Sequence, residues 1–341
     1  MSFWKEKKVF ITGATGLIGS WLTQELIAQK AYVVALIRDQ DPQSLLFKTG
    51  DINSIHVVSG ELEDYHSLER ALNEYEIDTI FHLGAQTIVN TALKSPLATF
   101  ESNIRGTYLL LEACRRLSPA VKRIVIASSD KAYGSSPILP YTEEMPLNGR
   151  HPYDVSKSCT DLIALSYAQT YGLPIAISRC GNIYGGGDLN WSRIVPGTIR
   201  SLLSDEAPII RSNGLFVRDY VYVKDIVQAY LKLGESLERE EIQGEAFNFS
   251  PGSPYNVLEI VEMIQRQMGC THLKPKILNG AKAEIQDQIL SSKKAEILLN
   301  WSPIFSLEEG LKETIAWYEN YLYSSEFKKR EFGKAGALGF Y

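Results

Sequence analysis

With 341 residues, 45% hydrophobic and 22% charged, the chain can bury a large core without disulfides, and its composition is that of a soluble protein. Lys plus Arg number 35 against 40 Asp plus Glu, a formal net charge of −5, which argues against non-specific nucleic-acid binding but leaves room for a local groove that holds phosphates. Four scattered cysteines without a CxxC pair, no clustered histidines, no leader-like start and no bilayer-length apolar run predict a cytoplasmic protein without zinc or a disulfide framework.

The first half alternates β-branched runs with helical stretches. Lys8–Thr12 reads as a buried strand, followed by a Gly-punctuated turn and a helix over Ser20–Gln29. Strands are predicted at Tyr32–Arg38, Ile55–Ser59, Thr79–Leu83, Arg123–Ser128 and Pro174–Arg179. Helices are predicted at Asp64–Tyr75, Leu97–Leu117 and Tyr153–Tyr171. Such alternation calls for a Rossmann-like, doubly wound parallel sheet. Beyond Gly181, loops rich in Gly, Asn and Pro separate shorter helices at Val195–Leu203, Val223–Gly234 and Asn256–Met268. A Trp301–Pro303 turn then leads into a last helix, Ser306–Tyr323. The expected organisation is a cofactor domain over 1–180 and a smaller α/β substrate lobe over 181–326, with some chain crossing back. A flexible tail is expected over 327–341.

Gly13, Thr15, Gly16 and Gly19 lie in a turn that follows the first strand and opens the first helix. Glycine there permits a tight turn and close approach of backbone to a pyrophosphate, and the helix N-terminus offers free N–H groups. At the end of the second strand an acid would bind ribose hydroxyls and an arginine a 2′-phosphate. Arg38 and Asp39 supply both, so NAD is favoured and NADP stays open.

Tyr153 and Lys157 share a helix face, and a cation beside a phenol favours the phenolate, making Tyr153 a usable base. Ser129, Asp130 and Lys131 follow the strand at Arg123–Ser128, on the sheet edge where ligands bind in open α/β folds.

The GxxGxxG spacing, the Tyr-x-x-x-Lys pair and the Ser129 position resemble the extended short-chain dehydrogenases/reductases, within their nucleotide-sugar epimerase/dehydratase family. Asp130-Lys131 is similar to the pair of the CDP-glucose 4,6-dehydratases, as are Phe3-Trp4, Ala85-Gln86, Gly185-Gly186-Gly187-Asp188 and Trp301-Ser302-Pro303. Two departures stand out. Ser135–Arg150 lacks the tryptophans of those enzymes, and Arg218–Val223 looks more like the epimerases.

The resemblance implies further cofactor contacts from Leu17, Ile18, Glu61, Leu62, Leu83, Ala85, Gln86 and Asn103. It implies a nucleotide-diphosphate sugar held by Gln86, Ser129, Asn182, Arg193 and Arg218, and a homodimer. The implied reaction is that of a hydro-lyase. Ser129 and Tyr153 hold the C4 hydroxyl during transient oxidation by NAD, water leaves across C5–C6 through Asp130 and Lys131, and hydride returns to C6. Lys131 acts either as proton acceptor or through its charge. Rival readings are a 4-epimerase, which needs no Asp-Lys pair, a 5,6-dehydratase, and a catalytically silent cofactor-binding module.

Overall fold

The computed structural model describes residues 2–280 and 285–323, so the tail expected over 327–341 lies outside the described residues. In chain order the strands of the first half are β1 (Lys8–Thr12), β2 (Tyr32–Ile37), β3 (His56–Ser59), β4 (Thr79–His82), β5 (Arg123–Ala127) and β6 (Ile175–Cys180). After them come β7 (Asn182–Tyr184), β8 (Ile209–Ile210), β9 (Val217–Tyr222), β10 (Glu245–Phe249), β11 (Pro254–Asn256), β12 (Lys276–Ile277) and β13 (Asp287–Gln288). Seven of these form a parallel sheet in the order β10-β6-β5-β4-β1-β2-β3. The strands are apolar on both faces because helices cover both sides. Chain direction across the sheet reverses between β1 and β4, the switch point where the loops after neighbouring strands part and leave a crevice.

The helices of the first half are α1 (Leu17–Ala28), α2 (Leu45–Lys48), α3 (Tyr65–Glu74), α4 (Val89–Lys94), α5 (Pro96–Phe100), α6 (Gly106–Arg116) and α7 (Pro152–Tyr171). The helix expected over Leu97–Leu117 is therefore not uniform: a π-turn, Glu101–Arg105, separates α5 from α6. The hydroxyls of Thr107 (2.6 Å) and Thr160 (3.1 Å) both donate to the Asn103 carbonyl, and side chains that compete for a ladder carbonyl loosen the helix there. One sheet face carries α3, α6 and α7 over a core containing Phe10, Leu68, Leu110, Ile124 and Ala164.

The opposite face is built largely from chain beyond residue 181. Helix α9 (Val223–Ser236) packs beside α1, and Ile226, Tyr230 and Leu233 share a core with Trp4, Val9, Phe81 and Trp301. Strand β10 is the seventh strand of the main sheet, so the chain does cross back. What remains forms a smaller cluster. Parallel β7–β9 pairing, antiparallel β9–β11 pairing and α8 (Ile194–Leu203), α10 (Val257–Gln267) and α12 (Leu307–Tyr323) enclose Tyr184, Ile199, Tyr222, Ile264 and Tyr318. Asn256 and Glu259 form a capping box that starts α10, as predicted to within a residue. Helix α11 (Lys293–Leu299) precedes the Trp301 turn.

Phe247 on β10 is fully buried against this core, whereas Ile297 on α11 is 68% exposed. Phe247→Ala should lower unfolding free energy by about 3–5 kcal/mol and Ile297→Ala by less than about 0.5 kcal/mol, measured by urea denaturation.

Candidate active site

Gly13 adopts φ +76°, and a Cβ there would lie 2.7 Å from the Gly84 nitrogen in the loop after β4. At Gly19 a Cβ would lie 2.1 Å from the Gly13 carbonyl oxygen, so the turn folds tightly under the start of α1. Gly16 caps that helix with no side-chain bond, and its first turn holds no acid. The leading N–H groups are thus open to an anion, while the side chains of Leu17 and Ile18 pack into the two neighbouring cores. Leu62, after β3, wedges against Gly84 and Gly106, and Leu83 packs on the sheet core, so both shape the crevice with apolar surface. Thr15 and Ala85 are half-buried on its walls and Glu61 is exposed. At the end of β2, Arg38 Nε lies 2.6 Å from Asp39 Oδ2 with both side chains largely exposed, so the two charges are paired with each other.

A chain of hydrogen bonds runs beneath the crevice. The Gly84 N–H donates to Thr12 Oγ1 (3.0 Å), which lies 2.8 Å from His82 Nδ1; His82 Nε2 lies 3.0 Å from Thr107 Oγ1. Because Thr107 gives its proton to the Asn103 carbonyl, it accepts from Nε2–H, which assigns the neutral ring one tautomer. Burial, helped by the Lys157 charge, drops the imidazole to about 3.

Gln86 and Asn103, expected near the cofactor or sugar, are hydrogen-bonded within the protein. Asn103 accepts from the Gln86 N–H (2.7 Å) and donates to the Gln86 carbonyl (3.0 Å) and to Ser156 Oγ (2.9 Å), while the Gln86 amide folds onto Ile88. The Asn103 side chain ties the loop after β4 to α7, and the Gln86 side chain folds that loop on itself. The sequence cannot show this, because Asn103 and Ser156 are distant in the chain.

Ser129, Asp130, Lys131, Tyr153 and Lys157 do come together. Ser129 acts on the Tyr153 phenol by lowering its pKa, and its hydroxyl donates to Asp130 Oδ1 at 3.0 Å. Burial raises Asp130 above the usual carboxylate range despite opposition from Lys131, the Ser129 bond and Arg218. Burial also pushes Tyr153 up to about 12, with Asp130 adding to the rise and Arg193 opposing it. Lys157 donates to the Ala127 carbonyl at 2.8 Å, and burial lowers it to about 8. The cation acting most strongly on the phenol is therefore Arg193, whereas the sequence pointed to Lys157. Arg193 is held by buried Asp188 at 3.0 Å. The glycines before Asp188 serve packing: Gly186 lies against Trp317 and accepts from Trp21 Nε1 at 2.7 Å.

Asn182 opens β7, half-buried and in register with Tyr220 of β9. Arg218 is buried and donates to the carbonyls of Val217, Ile285 and Gln286. Its guanidinium therefore fastens a late segment to β9, a role the proposed diphosphate clamp did not foresee. Neither does it pair with Asp219, whose Oδ2 accepts from the Leu290 N–H at 2.6 Å. The segment so fastened carries Gln288, whose Oε1 accepts from Lys131 Nζ at 2.6 Å.

Behind the Ser128–Lys131 loop lies a sealed network with no signal in the sequence. Arg179 on β6 grips Asp161 on α7 (2.8 Å), and Ser128 donates to the same carboxylate. Arg179 also donates to Tyr133 Oη (2.8 Å), which donates to Asn248 on β10 (2.7 Å).

A dinucleotide-type turn at a switch point, with Ser, Tyr and Lys at the adjoining strand ends, defines an extended short-chain dehydrogenase/reductase. The chain belongs to the GDP-mannose 4,6 dehydratase family, whose profile matches residues 10–314. It is similar to a CDP-glucose 4,6-dehydratase of Salmonella typhimurium, 29% identical over 94% of this chain and 93% of that one. Among solved structures it is similar to the UDP-glucose 4-epimerase of Thermotoga maritima with UDP-glucose, with TM-score 0.83, 28% identity, and coverage of 92% of this chain and 99% of that one. It is likewise similar to the dTDP-glucose 4,6-dehydratase of Streptomyces venezuelae with NAD and TYD bound, with TM-score 0.83, 26% identity, and coverage of 92% and 97%. Among the described residues no group of His, Cys, Asp and Glu is arranged to hold a metal ion, and no helix is long and apolar enough to cross a membrane.

Two measurements probe this framework. Arg179→Met leaves Asp161 buried and uncompensated, and should lower unfolding free energy by about 3–5 kcal/mol. His82 titrates near 6.5 when unfolded but stays neutral in the fold down to about 3, so the unfolded chain binds the extra proton and stability falls as pH falls through that window. Between pH 7 and pH 5 this contribution is about 2 kcal/mol. The difference in unfolding free energy between the two pH values, measured by urea denaturation, should shrink by that amount in His82→Gln.

Proposed function

We propose that the protein is an NAD-dependent nucleotide-sugar 4,6-dehydratase, with CDP-glucose as the expected substrate. The observation that carries the reading is buried Asp130, followed by half-buried Lys131, beside Ser129 and Tyr153, because a 4-epimerase has no use for the pair. NAD fits the crevice: the glycine cradle at Gly13 and Gly19 has no room for side chains, and the uncapped α1 N-terminus suits a pyrophosphate. The Arg38–Asp39 pair leaves NADP as an outcome to test. When bound, the nicotinamide supplies a hydride acceptor for C4 and a hydride donor for C6.

The side chains supply the rest. Ser129 and Tyr153 hold the C4 hydroxyl, and Tyr153, as phenolate, takes its proton. Arg193 works against the burial that keeps the phenol protonated, and a bound nicotinamide would add positive charge in the same sense. The C4 carbonyl then acidifies the C5 hydrogen. Lys131, in its neutral form, accepts that proton, and Asp130, which burial holds toward its protonated form, donates to the departing C6 hydroxyl so that it leaves as water. Asn182 and Arg193 face the sugar nucleotide from the smaller lobe, and the product is a 4-keto-6-deoxy sugar nucleotide.

Exposed Leu93, Leu97 and Leu162 on the neighbouring helices α4, α5 and α7 offer an apolar face for a second copy, consistent with a homodimer.

Incubation with CDP-, UDP-, GDP- and dTDP-hexoses should yield one product lighter by a water, read by mass spectrometry; a product of unchanged mass identifies an epimerase instead. Lys131→Ala should still reduce the cofactor on mixing with substrate but lose elimination by about 10²–10⁴-fold. Wild-type turnover in that variant would sink the assignment.

A further inference from the structure

Gln288 lies 157 residues from Lys131 in sequence, and three fastenings bring it there. Arg218 donates to the carbonyls of residues 285 and 286. Asp219 accepts from the Leu290 N–H, and Tyr141 brackets the segment by donating its N–H to the Ile289 carbonyl (2.7 Å) and accepting from the Ser291 N–H (2.9 Å). So much anchoring for a two-residue strand implies that its side chain is placed for a purpose.

The amide orientation follows from chemistry. An ammonium only donates, so the atom 2.6 Å from Lys131 Nζ must be the oxygen. The other end, Nε2, is then a two-proton donor. Gln288 is 1% exposed, and its Nε2 has no partner among the described residues. A donor sealed in this way is costly unless something bound to the site accepts from it. Both ends belong to one planar amide, so whatever accepts lies beside the groove where Lys131 works.

We propose that Gln288 is a positioning residue for Lys131 and a hydrogen-bond donor to a hydroxyl oxygen of the bound hexose. The proposal rests on the dehydratase reading for Lys131's part in elimination. By accepting from the ammonium, Gln288 aims Nζ and favours its charged form, so it sets the pH at which Lys131 can accept a proton. Among the described residues the other charges facing Lys131 include the neighbouring Asp130 and, from α7, Asp154; Arg218 on β9 acts on Asp130, and Asp287 flanks Gln288.

Two variants test this against the wild-type holoenzyme with the nucleotide hexose that it turns over. Gln288→Leu removes both hydrogen bonds at nearly constant volume. It should raise KM about tenfold and move the limb of the kcat profile that reports Lys131 deprotonation to lower pH. Gln288→Glu keeps an acceptor for Lys131 but adds negative charge, and should move the same limb to higher pH by about one unit, a tenfold change at fixed pH. A purely structural role would move neither limb in opposite directions. Limbs that coincide with wild type, or that shift together, overturn the proposal, as does an unchanged KM in Gln288→Leu. Should the leucine variant not fold, the glutamate variant decides alone through its limb. The wild-type product mass judges the dehydratase reading separately. If that mass is unchanged, KM in Gln288→Leu still decides whether the amide binds the sugar.

Discussion

Arg179 and Asp161 form an ion pair sealed from water, with side chains 3% and 0% exposed. Two charges in such a place are tolerable only when every remaining donor and acceptor finds a partner. Here Asp161 also takes the Ser128 hydroxyl, and Arg179 also takes Tyr133, which reaches Asn248. The pair therefore joins β6, α7, the end of β5 and the crossing-back strand β10. Ser129, Asp130 and Lys131 sit on the loop between Ser128 and Tyr133, both held by this network, and Tyr153 and Lys157 sit about two turns and one turn before Asp161 on the same helix. Geometry at the reacting end of the site is inherited from a salt bridge that touches no ligand.

A second buried element performs the same service for the cofactor side. The chain from Gly84 through Thr12, His82 and Thr107 to Asn103 joins the glycine turn's neighbour to the π-turn, and Asn103 passes the connection on to Ser156. A neutral imidazole suits this position because it both accepts and donates. Its low pKa follows from the same burial that makes the chain rigid. The two networks meet on α7, so the cofactor turn and the Ser129–Tyr153 pair are held against one helix.

The site is also a meeting of chain segments far apart in sequence. Lys131 from the sheet meets Gln288 from a short strand, and Arg218 spends its hydrogen bonds on carbonyls of that segment. An Arg-Asp pair on paper carries no record of whether its guanidinium faces a ligand, the adjacent acid or a backbone.

Local chemistry was enough to locate the six first strands, the helices α1, α3 and α7, the glycine turn, and the positions of Ser129, Asp130, Lys131, Tyr153 and Lys157 at a strand end and on a helix. Each rests on periodicity, on a turn's need for glycine, or on residues close in sequence at the end of a strand. The partners of those residues were decided only in three dimensions: Asp161 with Arg179, His82 with Thr107, Arg193 beside Tyr153, and Gln288 on Lys131. Such pairs are fixed by which strands become neighbours in the sheet and which loops close over its edge. Burial then sets their charge states, and burial belongs to the packed molecule, not to any stretch of the chain.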